Sequence, residues 1–104
     1  ACDPLPTGIF AANDFMAIGA IRVLKEHGLS VPEDMAVVGF DDGDLAPYID
    51  PPLTSVFVPR WEMGETAALR LLELIRGREP RARTIVLATE LVRRRSCGCL
   101  NGTT

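Results

Sequence analysis

The sequence predicts an α/β domain built on a parallel β-sheet, and three observations point there. Short apolar runs alternate with segments of helical period. The run Met35–Phe40 (MAVVGF) is apolar throughout, as strands buried on both faces of a parallel sheet are. The helical segments carry start and stop residues at their ends. Strand, helix and strand within about 35 residues make a βαβ unit, a connection that is almost always right-handed.

In chain order, Thr7–Ala12 (TGIFAA) suits a buried strand, and Asn13 and Asp14 after it are both good helix N-caps. The spacing predicts a helix over Asp14–His27 with one narrow polar stripe at Arg22, Lys25 and Glu26; a helix this apolar must be covered on more than one side. Gly28 supplies the left-handed residue that closes it, and Pro32 prevents its resumption. After the strand Met35–Phe40 comes a long loop, Asp41–Leu53, with three prolines. A third strand is expected at Thr54–Val58 and a second helix at Arg60–Arg76. There Gly64, Ala67, Ala68, Leu71, Leu72 and Ile75 form the inner face, Glu62, Glu65, Glu73 and Arg76 face away, and Gly77 ends the helix. Two tail strands, Thr84–Ala88 and Glu90–Arg95, are either a hairpin or one bent strand. Residues 1–6 read as a truncated lead-in, 7–96 as the domain proper and 97–104 as a disordered tail.

Composition narrows the function. A chain of 104 residues with 47% hydrophobic content holds one core, and a net charge of −3 argues against non-specific affinity for nucleic acid. Seven of the eleven basic residues fall between Arg76 and Arg95, which reads as solvated strand edges and loops. No apolar run reaches the roughly 20 residues that span a bilayer, and no secretion signal opens the chain, so a cytoplasmic protein without membrane contact is expected. Cys2, Cys97 and Cys99 make no even disulfide framework. They read as reduced thiols, since a closed metal site wants about four ligands and His27 is the only histidine.

In an open parallel sheet, ligands bind beyond the carboxyl ends of the strands. Two strands end there in polar pairs, Asn13-Asp14 and Asp41-Asp42, which parallel neighbours would bring to one rim. Helix capping and turn chemistry account for one residue of each pair. The other is surplus, and a carboxamide with a carboxylate suits a neutral polyhydroxylated ligand. Catalytic sets are missing: His27 sits at a helix end, where the dipole favours it, and no phosphate-cradling glycine loop or helix-turn-helix pattern occurs. Neither an enzyme nor a cofactor is expected, although acidic strand ends leave a magnesium-dependent phosphoryl-transfer domain as a rival.

Specific phrases carry a resemblance. Pro6–Asp14 (PTGIFAAND) with Met16–Ala20 (MAIGA), then Gly28–Asp34 (GLSVPED) with Val37–Asp42 (VVGFDD), then Pro51–Val56 (PPLTSV), Met63-Gly64 and Thr89–Arg93 (TELVR) follow in order with natural spacing. Together they resemble LacI/GalR-family transcriptional regulators over roughly residues 6–96. The resemblance implies a three-layer α/β sandwich with a parallel sheet, the C-terminal lobe of a periplasmic-binding-protein-like type I fold. The N-terminal lobe and DNA-binding head would lie outside this chain, and operator DNA would be reached only through that head. It further implies a small-molecule effector, a sugar or related metabolite, held by Asn13 and Asp41, with capping left to Asp14. A third family position, often glutamine, falls on Val58, which removes one expected hydrogen bond. Trp61 would wall the cleft or fill a core or interface position. A homodimer would form partly through Ile18, Leu45, Tyr48 and Ile49, apolar residues of the kind that mark a partner surface. A sugar-transport receptor shares the fold and is the alternative.

Overall fold

The structure, a computed structural model, describes residues 4–78 and 84–99. The chain separates into two compact units, one comprising Ala1–Phe57 with Glu90–Thr104 and the other Val58–Thr89.

The first unit holds the sheet. Strands β1 (Gly8–Phe10), β2 (Ala36–Asp41), β3 (Thr54–Phe57) and β4 (Glu90–Val92) lie side by side in that order. The first three are mutually parallel, as expected, and β4 runs antiparallel to β3 with Ser55 opposite Val92. Helix α1 (Asp14–Glu26) makes the crossover from β1 to β2. Its inner stripe, Asp14, Ala17 and Ile21, follows helical spacing and is buried; Leu24 continues it half-buried. Ala17 and Ile21 join Ala11, Val31, Val37, Ala46 and Leu53 in the core, with Ile9 and Ile49 packed against it.

Both ends of α1 obey their local signals. The Asn13 side chain caps the start, and at the other end Gly28 adopts φ 77°. Leu29 N–H then reaches Leu24 O at 2.9 Å and Gly28 N–H reaches Lys25 O at 3.0 Å, the paired bonds of a Schellman motif. His27 is the C-cap, and its Nδ1 lies 2.9 Å from Val23 O, a carbonyl that can only accept, so Nδ1 is the donor of this contact.

Three expectations for this unit are corrected. The β2 run is buried on one face only: Val37 and Gly39 are buried, while Ala36, Val38 and Phe40 keep partial exposure. Phe15, Met16 and Val23 likewise leave an apolar side of α1 exposed. Cys97–Cys99, expected in a disordered tail, instead form a turn. Gly98 N–H donates to Arg95 O at 3.2 Å and Cys99 N–H to Cys97 Sγ at 3.3 Å. The segment is anchored because Ser96 is fully buried, donating to Val37 O at 2.5 Å and accepting from Thr54 N–H at 2.8 Å. Burial pushes the Cys97 thiol up, but hydrogen bonds from Cys99 and Thr54 outweigh it and leave Cys97 the more acidic of the two thiols among the described residues; the bond to Cys97 raises Cys99. Residues 100–104 and Cys2 lie outside the described residues.

The second unit is dominated by α2 (Arg60–Ile75), which ends in the same way as α1, with Gly77 at φ 77°. None of its residues is buried, so its predicted inner face, including Leu71, Leu72 and Ile75, is exposed in this chain. Thr84–Ala88 is not a strand: it pairs with no strand among the described residues, and its Ile85 and Val86 are exposed. Apolar residues with β propensity make a strand only where a neighbour completes the ladder.

One contact in the first unit locks helix to sheet. A side chain on Gly39 of β2 would drive its Cβ into Asp14 Oδ1 and bring it within 3.0 Å of Leu53 Cδ2. The missing side chain is what lets the first turn of α1 settle on the strand. Gly39→Ala is therefore expected to lower the unfolding free energy by about 1–3 kcal/mol, measured by denaturant titration; an unchanged midpoint would show that this approach is not tight.

Candidate functional site

The register of the parallel strands fixes where the polar pairs arrive. Phe10 of β1 stands opposite Val38 of β2. Asn13 and Asp41 each lie three residues further on, so both emerge at the carboxyl rim of adjacent strands. Both are half-buried, neither sealed in the core nor fully in solvent.

The structure gives the capping role expected of Asp14 to Asn13. Asn13 is the N-cap: in extended geometry (φ −154°, ψ 173°) its Oδ1 accepts from Met16 N–H at 2.9 Å. That bond uses one oxygen and leaves the two amide N–H donors of the side chain for other partners. Asp14, expected to cap, is buried instead. Its Oδ1 accepts from Ser55 Oγ–H at 2.6 Å and its Oδ2 from Gly43 N–H at 2.6 Å. One carboxylate thus joins the start of α1 to β3 and to the loop after β2. Its position in the first helical turn also suits the positive end of the helix dipole.

The loop after β2 is backbone-strained. Asp41 has φ 110° and Asp42 φ 50°, and non-glycine residues at positive φ cost of order 1–3 kcal/mol each unless neighbours over-determine them. Asp42 N–H donates to Ser55 Oγ at 2.9 Å, so the same hydroxyl links Asp42 to Asp14. The Asp42 carboxylate takes a 2.6 Å bond from Arg94 Nη1, and both side chains are mostly buried. Arg94, expected among the solvated arginines of the tail, is therefore an internal ion-pair partner. Among the described residues, every buried side-chain nitrogen and oxygen has a hydrogen-bond partner. The Asp41 carboxylate, by contrast, makes no hydrogen bond to the described residues.

Ser55 and Arg94 are the residues that sequence reasoning missed. Ser55 had a faint signal, a hydroxyl pair (Thr54-Ser55) inside an apolar strand. Arg94 had none, standing between Arg93 and Arg95; its place with Val92 and Ser96 on the less exposed side of the tail shows only in the structure.

The remaining predicted residues differ in burial. Val58 is buried and Trp61 is exposed, both in the second unit, so Trp61 fills no core position of this chain. Leu45 and Tyr48 are exposed and Ile18 half-buried, whereas Ile49 packs on the core of its own unit. Among the described residues no group of three or more His, Cys, Asp or Glu is placed to hold a metal ion, and no helix is long and apolar enough to cross a membrane.

Comparison with known proteins agrees with this architecture. The sequence model of the family described as "Periplasmic binding protein-like domain" matches residues 1–97. The HTH-type transcriptional repressor CytR of Escherichia coli (strain K12) is 41% identical over 95 residues, 91% of this chain and 28% of the repressor. The HTH-type transcriptional repressor PurR of Photobacterium profundum is 41% identical over 96 residues, 92% of this chain and 29% of the repressor. Among solved structures, the transcriptional regulator CelR–cellobiose complex is 43% identical with TM-score 0.84, covering 89% of this chain and 28% of that one. The lac repressor dimer bound to operator and the anti-inducer ONPF is 38% identical with TM-score 0.83, with 89% and 28% covered. The chain therefore spans under a third of the length of these relatives. It belongs to the periplasmic-binding-protein-like domain family, in the form found in transcriptional repressors of the LacI type.

Proposed function

We propose that this chain is the effector-sensing lobe of a LacI/GalR-type transcriptional regulator, and that its effector is a neutral, hydroxyl-rich small molecule of the sugar class. The observation that carries the reading is the register of Asn13 and Asp41 at the carboxyl ends of neighbouring parallel strands. Asn13 offers amide donors and Asp41 a carboxylate acceptor, a pair that matches adjacent hydroxyls. Asp42 is already neutralised by Arg94 and Asp14 is occupied by two donors, whereas the half-buried Asp41 keeps an unengaged carboxylate at the strand end. Cellobiose, the ligand in one solved relative, is a neutral disaccharide of the matching class.

The effector would bridge this lobe and a second one outside the chain, and its differential affinity for open and closed arrangements would set operator affinity. The operator would be met by a separate DNA-binding domain and the signal relayed through a homodimer, for which exposed Leu45 and Tyr48, with Ile18 beside the capped start of α1, are the better-placed contacts. Ile49 contributes less, being engaged by its own core. Val58 offers no side-chain hydrogen bond to an effector, and exposed Trp61 suits packing against a sugar ring or a protein surface. Such a protein works in the cytoplasm, binds without catalysing and needs no cofactor. The repressor names of the relatives favour this over a transport receptor.

Two outcomes follow. In NMR titrations with millimolar cellobiose and other neutral sugars, shifts should centre on Asn13 and Asp41, and Asp41→Ala should weaken binding roughly tenfold or more, the value of a charge-assisted hydrogen bond. Shifts confined elsewhere would contradict the assignment. By calorimetry the 104-residue chain alone should bind these sugars only weakly, because half the binding groups lie on the other lobe; low-micromolar affinity would contradict the two-lobed reading.

A further inference from the structure

The structure assigns Arg94, remote in sequence from the rim, as the positioning residue that sets the backbone presenting Asp41. The inference rests on the reading of Asp41 as an effector contact.

Arg94 follows β4, in the last described stretch of the chain, yet its guanidinium lies against the loop after β2. From a single nitrogen, Nη1, it donates to Asp42 Oδ1 at 2.6 Å and to Leu53 O at 2.8 Å, while its own N–H donates to Thr54 Oγ1 at 2.8 Å. Three bonds therefore tie the tail to the loop that ends at Leu53 and to the first residue of β3. The target is the residue beside Asp41, and the two together carry the consecutive positive φ angles, 110° and 50°. Two other bonds restrain the same turn from inside, Asp42 N–H to Ser55 Oγ and Gly43 N–H to Asp14 Oδ2. Those hold the amides. Arg94 holds the Asp42 side chain, and it is the cation that the structure places on this acidic turn.

A mostly buried ion pair gains little net stability over apolar packing, because both charges lose water; what it supplies is direction. With Asp42 turned to Arg94, the neighbouring Asp41 carboxylate is left without a partner among the described residues. Without the guanidinium, two adjacent carboxylates would repel, and Asp42 would be released to compete for the ligand's hydroxyls. The pair also links the C-terminal segment mechanically to the ligand rim, through Ser96, which is seated on β2 and β3.

The test is amide hydrogen exchange on the ligand-free protein, with the affinity for cellobiose measured beside it. Arg94→Met should speed exchange at Asp42 and Gly43 about tenfold or more while the β2 amides keep their wild-type rates, and Arg94→Lys should restore much of the protection. Asp42→Asn gives the same readout if Arg94→Met does not fold, with the acceleration again confined to the turn. Wild-type exchange at Asp42 and Gly43 in both Arg94→Met and Asp42→Asn would overturn the assignment. So would acceleration spread evenly over β2. Where cellobiose binds, Arg94→Met should weaken it without Arg94 touching it. If the wild-type protein binds none of the sugars, the sugar reading of the rim fails on its own, and the exchange rates still decide whether Arg94 sets the turn.

Discussion

A carboxylate taken into an apolar interior loses hydration worth several kcal/mol unless donors replace the water. Asp14 meets that requirement with one hydroxyl and one backbone amide, each at 2.6 Å, drawn from β3 and from the loop after β2. These are charge-assisted bonds, roughly twice as strong as neutral ones. Their partners come from segments 29 and 41 positions away in sequence, so a single side chain fixes the start of α1, β3 and the rim loop relative to one another. The bare backbone of Gly39 gives the helix room to approach, and Leu53, fully buried, closes the other side of the same contact. Asn13 immediately precedes this anchor and Asp41 lies two residues before Gly43, so both ends of the rim depend on it.

The larger architecture is legible in the sequence because it rests on periodicity and punctuation. Gly28 and Gly77 end their helices with the predicted left-handed geometry, and the apolar run of β2 lies between β1 and β3 as a central parallel strand should. Where structure and expectation differ, the deciding information is tertiary. Asn13 and Asp14 are equally good caps by residue type; only the approach of Gly43 and Ser55 decides that Asp14 turns inward and Asn13 caps. Thr84–Ala88 has strand composition but no neighbour. Arg94 belongs to an arginine run that composition alone places in solvent, and its burial depends on Asp42, 52 positions away. The exposed apolar face of α2 and the exposed Phe15, Met16 and Val23 of α1 fit a chain that spans under a third of its relatives' length.

These interactions divide the rim's acidic groups by task. Asp14 is structural, Asp42 is neutralised by Arg94, and Asp41 retains an unengaged carboxylate beside the spare donors of Asn13. Strained backbone at positive φ persists where surrounding bonds over-determine it, and such strain gathers at ligand clamps. A rim that is rigid beforehand would lose less conformational entropy on binding the effector proposed for it.

The dependence of the rim on Asp14 is tested most directly by a double-mutant cycle in which Asp14→Ala and Ser55→Ala are made singly and together and unfolding free energies are measured. The two side chains share one hydrogen bond and a common partner turn, so a coupling energy of about 1 kcal/mol or more is predicted. Additivity within about 0.5 kcal/mol would mean that the two residues act independently, and the interaction on which the rim is built would be absent.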